Sequence, residues 1–133
     1  MKDRYVYPAV FEYDGDDINV SFPDLPGCLT FGNNEAEAMF NAKEALEGHL
    51  FVMEELGRDI PDSTSIYNIS RRENGAIVLV DAWMPLIRDQ EYNKAVKKTL
   101  TIPKWLNDIA EENKVNFSHL LQAALKKHLG INR

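Results

Sequence analysis

Hydrophobic and polar residues change their period several times along this chain, and each change marks a structural element. Tyr5, Tyr7, Ala9, Phe11 and Tyr13 fall on every second residue, the period of a strand with one buried face. Asp14-Gly15-Asp16-Asp17 reads as a turn, and Ile18 to Phe22 as the returning arm of a hairpin. Pro23-Asp24-Leu25-Pro26-Gly27 interrupts the chain before a short third strand, Cys28 to Phe31. Asn33 or Asn34 caps a long helix from about Glu35 to Leu56. Its apolar positions Met39, Ala42, Leu46, Leu50 and Met53 are three or four apart, and Gly57 ends it. A polar loop around Pro61 to Thr64 and an Asn74-Gly75 turn lead to Ala76–Met84, where Ile77-Val78-Leu79-Val80 is apolar enough for a buried strand. Three strands, one helix and a fourth strand predict a small α+β sandwich over 1–84.

A linker is expected over 85–96, and beyond it the pattern starts afresh. Lys97, Thr99 and Thr101 alternate with Lys98, Leu100 and Ile102, so one strand face is polar and the other mainly apolar. Pro103 cannot donate to a ladder and suits a helix start, so it closes the strand. A helix from about Lys104 to Asn113 places Trp105, Leu106, Ile109 and Ala110 on one face. A second helix starts at Asn116 or Ser118, carries Phe117, Leu120, Leu121, Ala124, Leu125 and Leu129, and ends near Gly130.

One strand and two short helices are too small to build a core alone, and the strand calls for an identical partner. An ordinary edge strand of an α+β domain is the plainer alternative. The strand-helix-helix order resembles the ribbon-helix-helix fold of Arc/MetJ-type repressors, in which paired strands enter a DNA major groove. The resemblance implies base contacts from Lys97, Thr99 and Thr101, and a ribbon core made by Leu100 and Ile102. The amino end of the second helix, at Asn116, Phe117 and Ser118, would then meet a phosphate, as free N–H groups and the helix dipole favour an anion.

Charge divides the chain at the same place. Residues 1–93 hold seven Lys/Arg and eighteen Asp/Glu, a net of −11, whereas residues 94–133 hold eight and three, a net of +5. An acidic body and a basic tail point to partners of opposite sign. The basic end suits a polyanion, and the acidic body suits a basic protein. No apolar run reaches membrane length, and Met1-Lys2-Asp3-Arg4-Tyr5 lacks the apolar stretch expected of a signal peptide. The lone Cys28 cannot form an internal disulfide, which fits a reducing cytoplasm.

The first part also resembles a family. Tyr7-Pro8-Ala9, Phe22-Pro23-Asp24-Leu25-Pro26-Gly27-Cys28, Glu37-Ala38, Asn41-Ala42-Lys43-Glu44-Ala45-Leu46 and Gly57-Arg58-Asp59-Ile60-Pro61 are similar to HicB-type antitoxins. That resemblance implies a partial RNase H-like fold that blocks a small basic HicA-type mRNA interferase. It also implies a C-terminal domain, 97–133, that binds operator double-stranded DNA of its own operon. Some members carry a helix-turn-helix at this end, but the strand closed by Pro103 favours the ribbon type. The whole would work as a homodimer or tetramer in the cytoplasm, without membrane or cofactor. The alternative is a ribbon-helix-helix regulator whose first domain senses a ligand or mediates oligomerisation.

Catalysis has little support in the residues. Glu12, Asp14, Asp16, Asp17 and Asp24 invite a two-metal nuclease reading, but three of them crowd a hairpin turn where Asp is common for its geometry. His49, His119 and His128 have no nucleophile or zinc-ligand spacing beside them. Cys28 fits a small buried side chain better than a reactive thiol. The aromatic strand Tyr5 to Tyr13 could stack bases, but the acidity around it opposes RNA. Neither catalytic residues nor a metal site are expected.

Overall fold

The computed structural model describes all 133 residues, which fall into two units, Met1–Lys94 and Ala95–Arg133. In the first unit, β1 (Arg4–Asp14) and β2 (Asp17–Ser21) form the expected hairpin, with Phe11 opposite Val20 and Tyr13 opposite Ile18. The third strand, β3, runs from Leu29 to Gly32, one residue later than the pattern predicts at each end. β4 (Gly75–Trp83) pairs with the other edge of β1, so the antiparallel sheet has the order β3-β2-β1-β4.

Helix α1 (Glu35–Glu55) covers one face of that sheet. Asn34 caps it, its side-chain oxygen accepting from the Glu37 amide at 2.8 Å. The buried row is Ala38, Ala42, Leu46 and Leu50, set against Tyr7, Ala9, Phe11, Ile18, Val20, Val80 and Ala82. Met39, expected in this row, is instead exposed: Ala38 takes the inward position because a smaller side chain lets the helix lie closer. Gly32 marks that close approach, since a Cβ there would stand 2.4 Å from the Ala38 nitrogen.

The stretch from Phe22 to Cys28 folds into a tight loop. The Leu25 amide donates to the Phe22 carbonyl and the Cys28 amide to the Leu25 carbonyl, each at 3.0 Å. Leu25 and Cys28 thereby enter the core. The Cys28 thiol donates to the Ala45 carbonyl at 3.6 Å, and burial pushes it up to about 11, so it is a packing residue and a poor nucleophile. Asp24 turns the other way, accepting from the Thr64 amide at 2.9 Å and from its hydroxyl at 2.5 Å. It anchors the long segment between α1 and β4, which Tyr7 also holds through a hydrogen bond to the Pro61 carbonyl.

The expected linker over 85–96 is helical in its first part. Met84–Tyr92 form α2, with Pro85 in its first turn, and this helix belongs to the first unit. Polar composition hides the reason, which is tertiary. Arg88 sends two N–H groups to the Glu54 carboxylate, at 3.0 and 2.7 Å, and others to Asp3 and to the Lys2 carbonyl. Tyr92 packs edge-on against Phe51, with ring centres 5.8 Å apart. Residues 93–103 separate the helices of the two units.

In the second unit, α3 (Lys104–Glu112) and α4 (Phe117–Leu129) match expectation to within a residue or so. The strand expected over Lys97–Ile102 is not formed in this single chain. A ladder needs a second strand to take its N–H and C=O groups, and the residues here have none.

Arg88 and Tyr7 make the stability of the first unit testable. Arg88→Ala leaves the Glu54 carboxylate, whose side chain is 5% exposed, without its counter-ion. It should cost about 3 kcal/mol in urea unfolding, with Arg88→Lys recovering only part because an ammonium cannot grip both carboxylate oxygens as the guanidinium fork does. Burial, aided by the charges of Tyr5, Asp24 and Asp62, pushes the Tyr7 phenol from 10 to about 12. The folded chain therefore keeps a proton that the unfolded chain releases, so this stability is whole below pH 10 and falls as pH rises from about 10 to 12. Tyr7→Phe should lessen the fall in that part of the pH profile and cost about 1 kcal/mol at neutral pH. The Cys28 contribution, of the same sign between about 9 and 11, should remain.

Candidate functional site

Ala95–Arg133 presents all the residues singled out for DNA. Lys97, Thr99 and Thr101 are exposed, and so are Leu100 (59%) and Ile102 (41%), whose burial would require a partner. Pro103 sits at the start of α3, as expected. The Lys104 ammonium lies 2.8 Å from Asp108, one turn on. Between the helices Lys114 adopts φ +56°, and the Val115 amide returns to the Ala110 carbonyl at 3.0 Å. This is a left-handed helix stop made without glycine.

Asn116 caps α4, its side-chain oxygen accepting from the His119 amide at 3.1 Å. That resolves the choice between Asn116 and Ser118, and it ties up the Asn116 oxygen. Ser118, with the amides of the first turn, stays on an exposed helix end. At the other end Gly130 is left-handed, and Lys126, Lys127 and His128 complement the helix dipole. Trp105, Leu106 and Ile109 on α3 and Phe117, Leu120, Leu121, Leu125 and Leu129 on α4 are all exposed. No residue of this unit is buried. Its apolar rows are regular, yet they have nothing of their own to close on.

Met1–Lys94 holds eight Lys/Arg and eighteen Asp/Glu, a net of −10. Its carboxylates are dispersed. Glu12 stands 4.0 Å from Arg72, Asp24 is committed to Thr64, Asp81 faces Arg4 and Lys43, and Glu54 is held by Arg88. No three His, Cys, Asp or Glu side chains come together as a metal site. The Tyr13 hydroxyl donates to Glu35 at 2.8 Å, which raises its pKa. Tyr7 and Phe11 are core and Tyr5 is half-buried, so the strand's rings are largely spent on packing rather than displayed for bases.

Sequence periodicity missed part of the surface of α1. Besides its buried row, the helix exposes Phe40 and Val52, and Leu56 follows at its end. The signal was present as a second set of residues four apart, but the first set had already accounted for one face.

Residues 7–125 match the family described as HicB-like antitoxin of bacterial toxin–antitoxin systems. The chain belongs to this family, which is non-enzymatic. It is 34% identical over 104 residues to an uncharacterised 14.9 kDa protein from the rep-hol intergenic region of Haemophilus phage HP1, covering 76% of this chain and 75% of that one. Among solved structures it is similar to a toxin–antitoxin complex from Streptococcus pneumoniae, with 26% identity, TM-score 0.62 and coverage of 94% of this chain and 99% of that one. It is also similar to a HicA3 and HicB3 toxin–antitoxin complex, with 25% identity and TM-score 0.50, over 59% of this chain and 98% of that one. No helix is long and apolar enough to cross a membrane.

Proposed function

We propose that this antitoxin neutralises a HicA-type mRNA interferase through Met1–Lys94 and represses its own operon through operator DNA bound by 97–133. Neutralisation is steric and electrostatic: an acidic body covers the nuclease site of a small basic toxin, and no bond is made or broken. Repression uses a ribbon-helix-helix dimer, or a tetramer built from two of them.

The observation that carries the reading is the second unit, with regular apolar rows and no buried residue. A second copy supplies what is missing. Two Lys97–Ile102 segments pair as antiparallel strands, Leu100 and Ile102 turn inward onto the helices, and Lys97, Thr99 and Thr101 turn outward to base edges. The net charge of this unit, seven Lys/Arg against three Asp/Glu, suits a phosphate backbone. The α4 end at Asn116, Phe117 and Ser118 meets a phosphate, with Asn116 holding the helix end in shape as its cap.

Two measurements test this division of labour. A chain ending at Lys94, shown by circular dichroism to be folded, should lose operator binding in gel-shift assays and still rescue cell growth from the toxin. Rescue that disappears with the tail would show that the body is not the neutralising part. Raised salt should slow association more than it speeds dissociation.

Base reading separates the two sets of DNA residues. Lys97→Ala or Thr101→Ala should each weaken binding by about 1–3 kcal/mol for every base edge no longer read, on operator but not on scrambled DNA. Asn116→Ala or Ser118→Ala should weaken both DNAs alike, and Lys98→Ala should matter less. Equal losses on both DNAs for Lys97, Thr99 and Thr101 would rule out the proposed register.

A further inference from the structure

Helix α1 carries a row of residues that its own fold leaves unused. Phe40, Glu44, Gly48 and Val52 follow at intervals of four, with Leu56 next at the C-cap, and such a spacing lays them along one ridge. All five are exposed, Phe40 by 68%, Val52 by 53% and Leu56 by 59%.

Gly48 lies in the middle of this row. A glycine inside a helix is destabilising, because it surrenders the most backbone freedom and packs no side chain. Nothing in the fold calls for it. Its backbone is ordinary helix without positive φ, and a Cβ placed on it would meet no atom within 4 Å. Gly32 is the contrasting case, where a Cβ would collide with the Ala38 backbone. A bare position on an exposed apolar ridge is accounted for by a body that approaches the helix closely from outside.

Charge identifies that body. Helix α1 holds six glutamates and one lysine; Glu54 is held by Arg88, and Glu44 and Glu55 stand exposed along or beside the row. The lysine, Lys43, is turned to the β4 edge, donating to the Asp81 carbonyl at 2.7 Å. Such a surface repels nucleic acid and also repels the same row on a second copy. A cationic protein surface is drawn to it.

We infer that the Phe40–Leu56 ridge of α1, with Gly48 as its point of closest approach, is where the basic toxin docks, an assignment that rests on the neutralising role proposed above. Phe40 on one side of Gly48 and Val52 and Leu56 on the other are the apolar anchors. Glu44 lies between them and Glu55 beside Leu56, and both meet Lys or Arg of the toxin.

The test uses the full chain and a catalytically inactivated HicA-type protein from the same operon, with affinity measured by calorimetry. Gly48→Ala should raise the melting midpoint by a few degrees, because alanine is the better helix former and has room. The same change should weaken toxin binding by about tenfold or more, since the approach is blocked. Phe40→Ser should also weaken it, with the sedimentation of the free antitoxin unchanged. A Gly48→Ala chain that is more stable and binds toxin as tightly as the parent would overturn the assignment. So would a change in self-association in place of toxin affinity. Loss of toxin binding by Leu79→Ser, on the sheet face away from α1, with Gly48→Ala intact, would place the toxin on the sheet instead. Failure of the unaltered chain to bind the toxin would overturn the neutralising role itself, and this surface with it.

Discussion

The seating of α1 on one face of the four-stranded sheet is the contact on which the first unit depends. Its inward row begins with two alanines, Ala38 and Ala42, before the larger Leu46 and Leu50. Small side chains at the amino end bring the helix down onto β3, where Gly32 leaves room for the Ala38 backbone. The rest is arranged around that close approach. The Phe22–Cys28 loop drops Leu25 and Cys28 into the same core, and its Asp24 holds Thr64. At the far end, Arg88 of α2 takes Glu54 of α1 and Asp3 at the chain's start, tying together three segments distant in sequence.

This arrangement leaves one side of the helix exposed at Phe40 and Val52, and on the sheet face away from it Leu79 and Phe31 are exposed while Pro8 and Val10 are buried. The two halves of the chain differ in how far each closes on itself. The first has a full core and an acidic exterior, with net charge −10. The second has helices, caps and apolar rows, but no buried residue. A unit of that kind does not gain its stability from intrachain burial, because too little surface leaves water. A domain that is complete alone suits a partner that comes and goes. A domain without a core of its own ties its folding to whatever covers its apolar rows.

The sequence was most legible where local rules suffice. Hairpin, third strand, long helix, fourth strand and the two terminal helices appear where they were expected to within about a residue at each end, with the open choice of cap on the last helix falling to Asn116. Periodicity, turn residues and caps act within a few residues, so they are written in the order of the chain. The charge division is equally plain from the sequence, and the family motifs pointed to the antitoxin class that the family match over residues 7–125 bears out.

What periodicity could not give was decided by tertiary contacts. Met84–Tyr92 is helix rather than linker because Arg88 and Tyr92 reach residues more than thirty positions away. Ala38 faces inward in preference to Met39 because the sheet demands a small side chain there, a demand that exists only once Gly32 lies beneath it. Lys97–Ile102 alternates as a strand should, but alternation specifies faces and not a partner, and a strand exists only when paired. Local sequence specified the hairpin, α1, the two terminal helices and the place where the charges divide, but not α2. Only the tertiary structure decided which face each helix buries and which polar side chains hold distant segments together, because both depend on neighbours that local sequence does not contain.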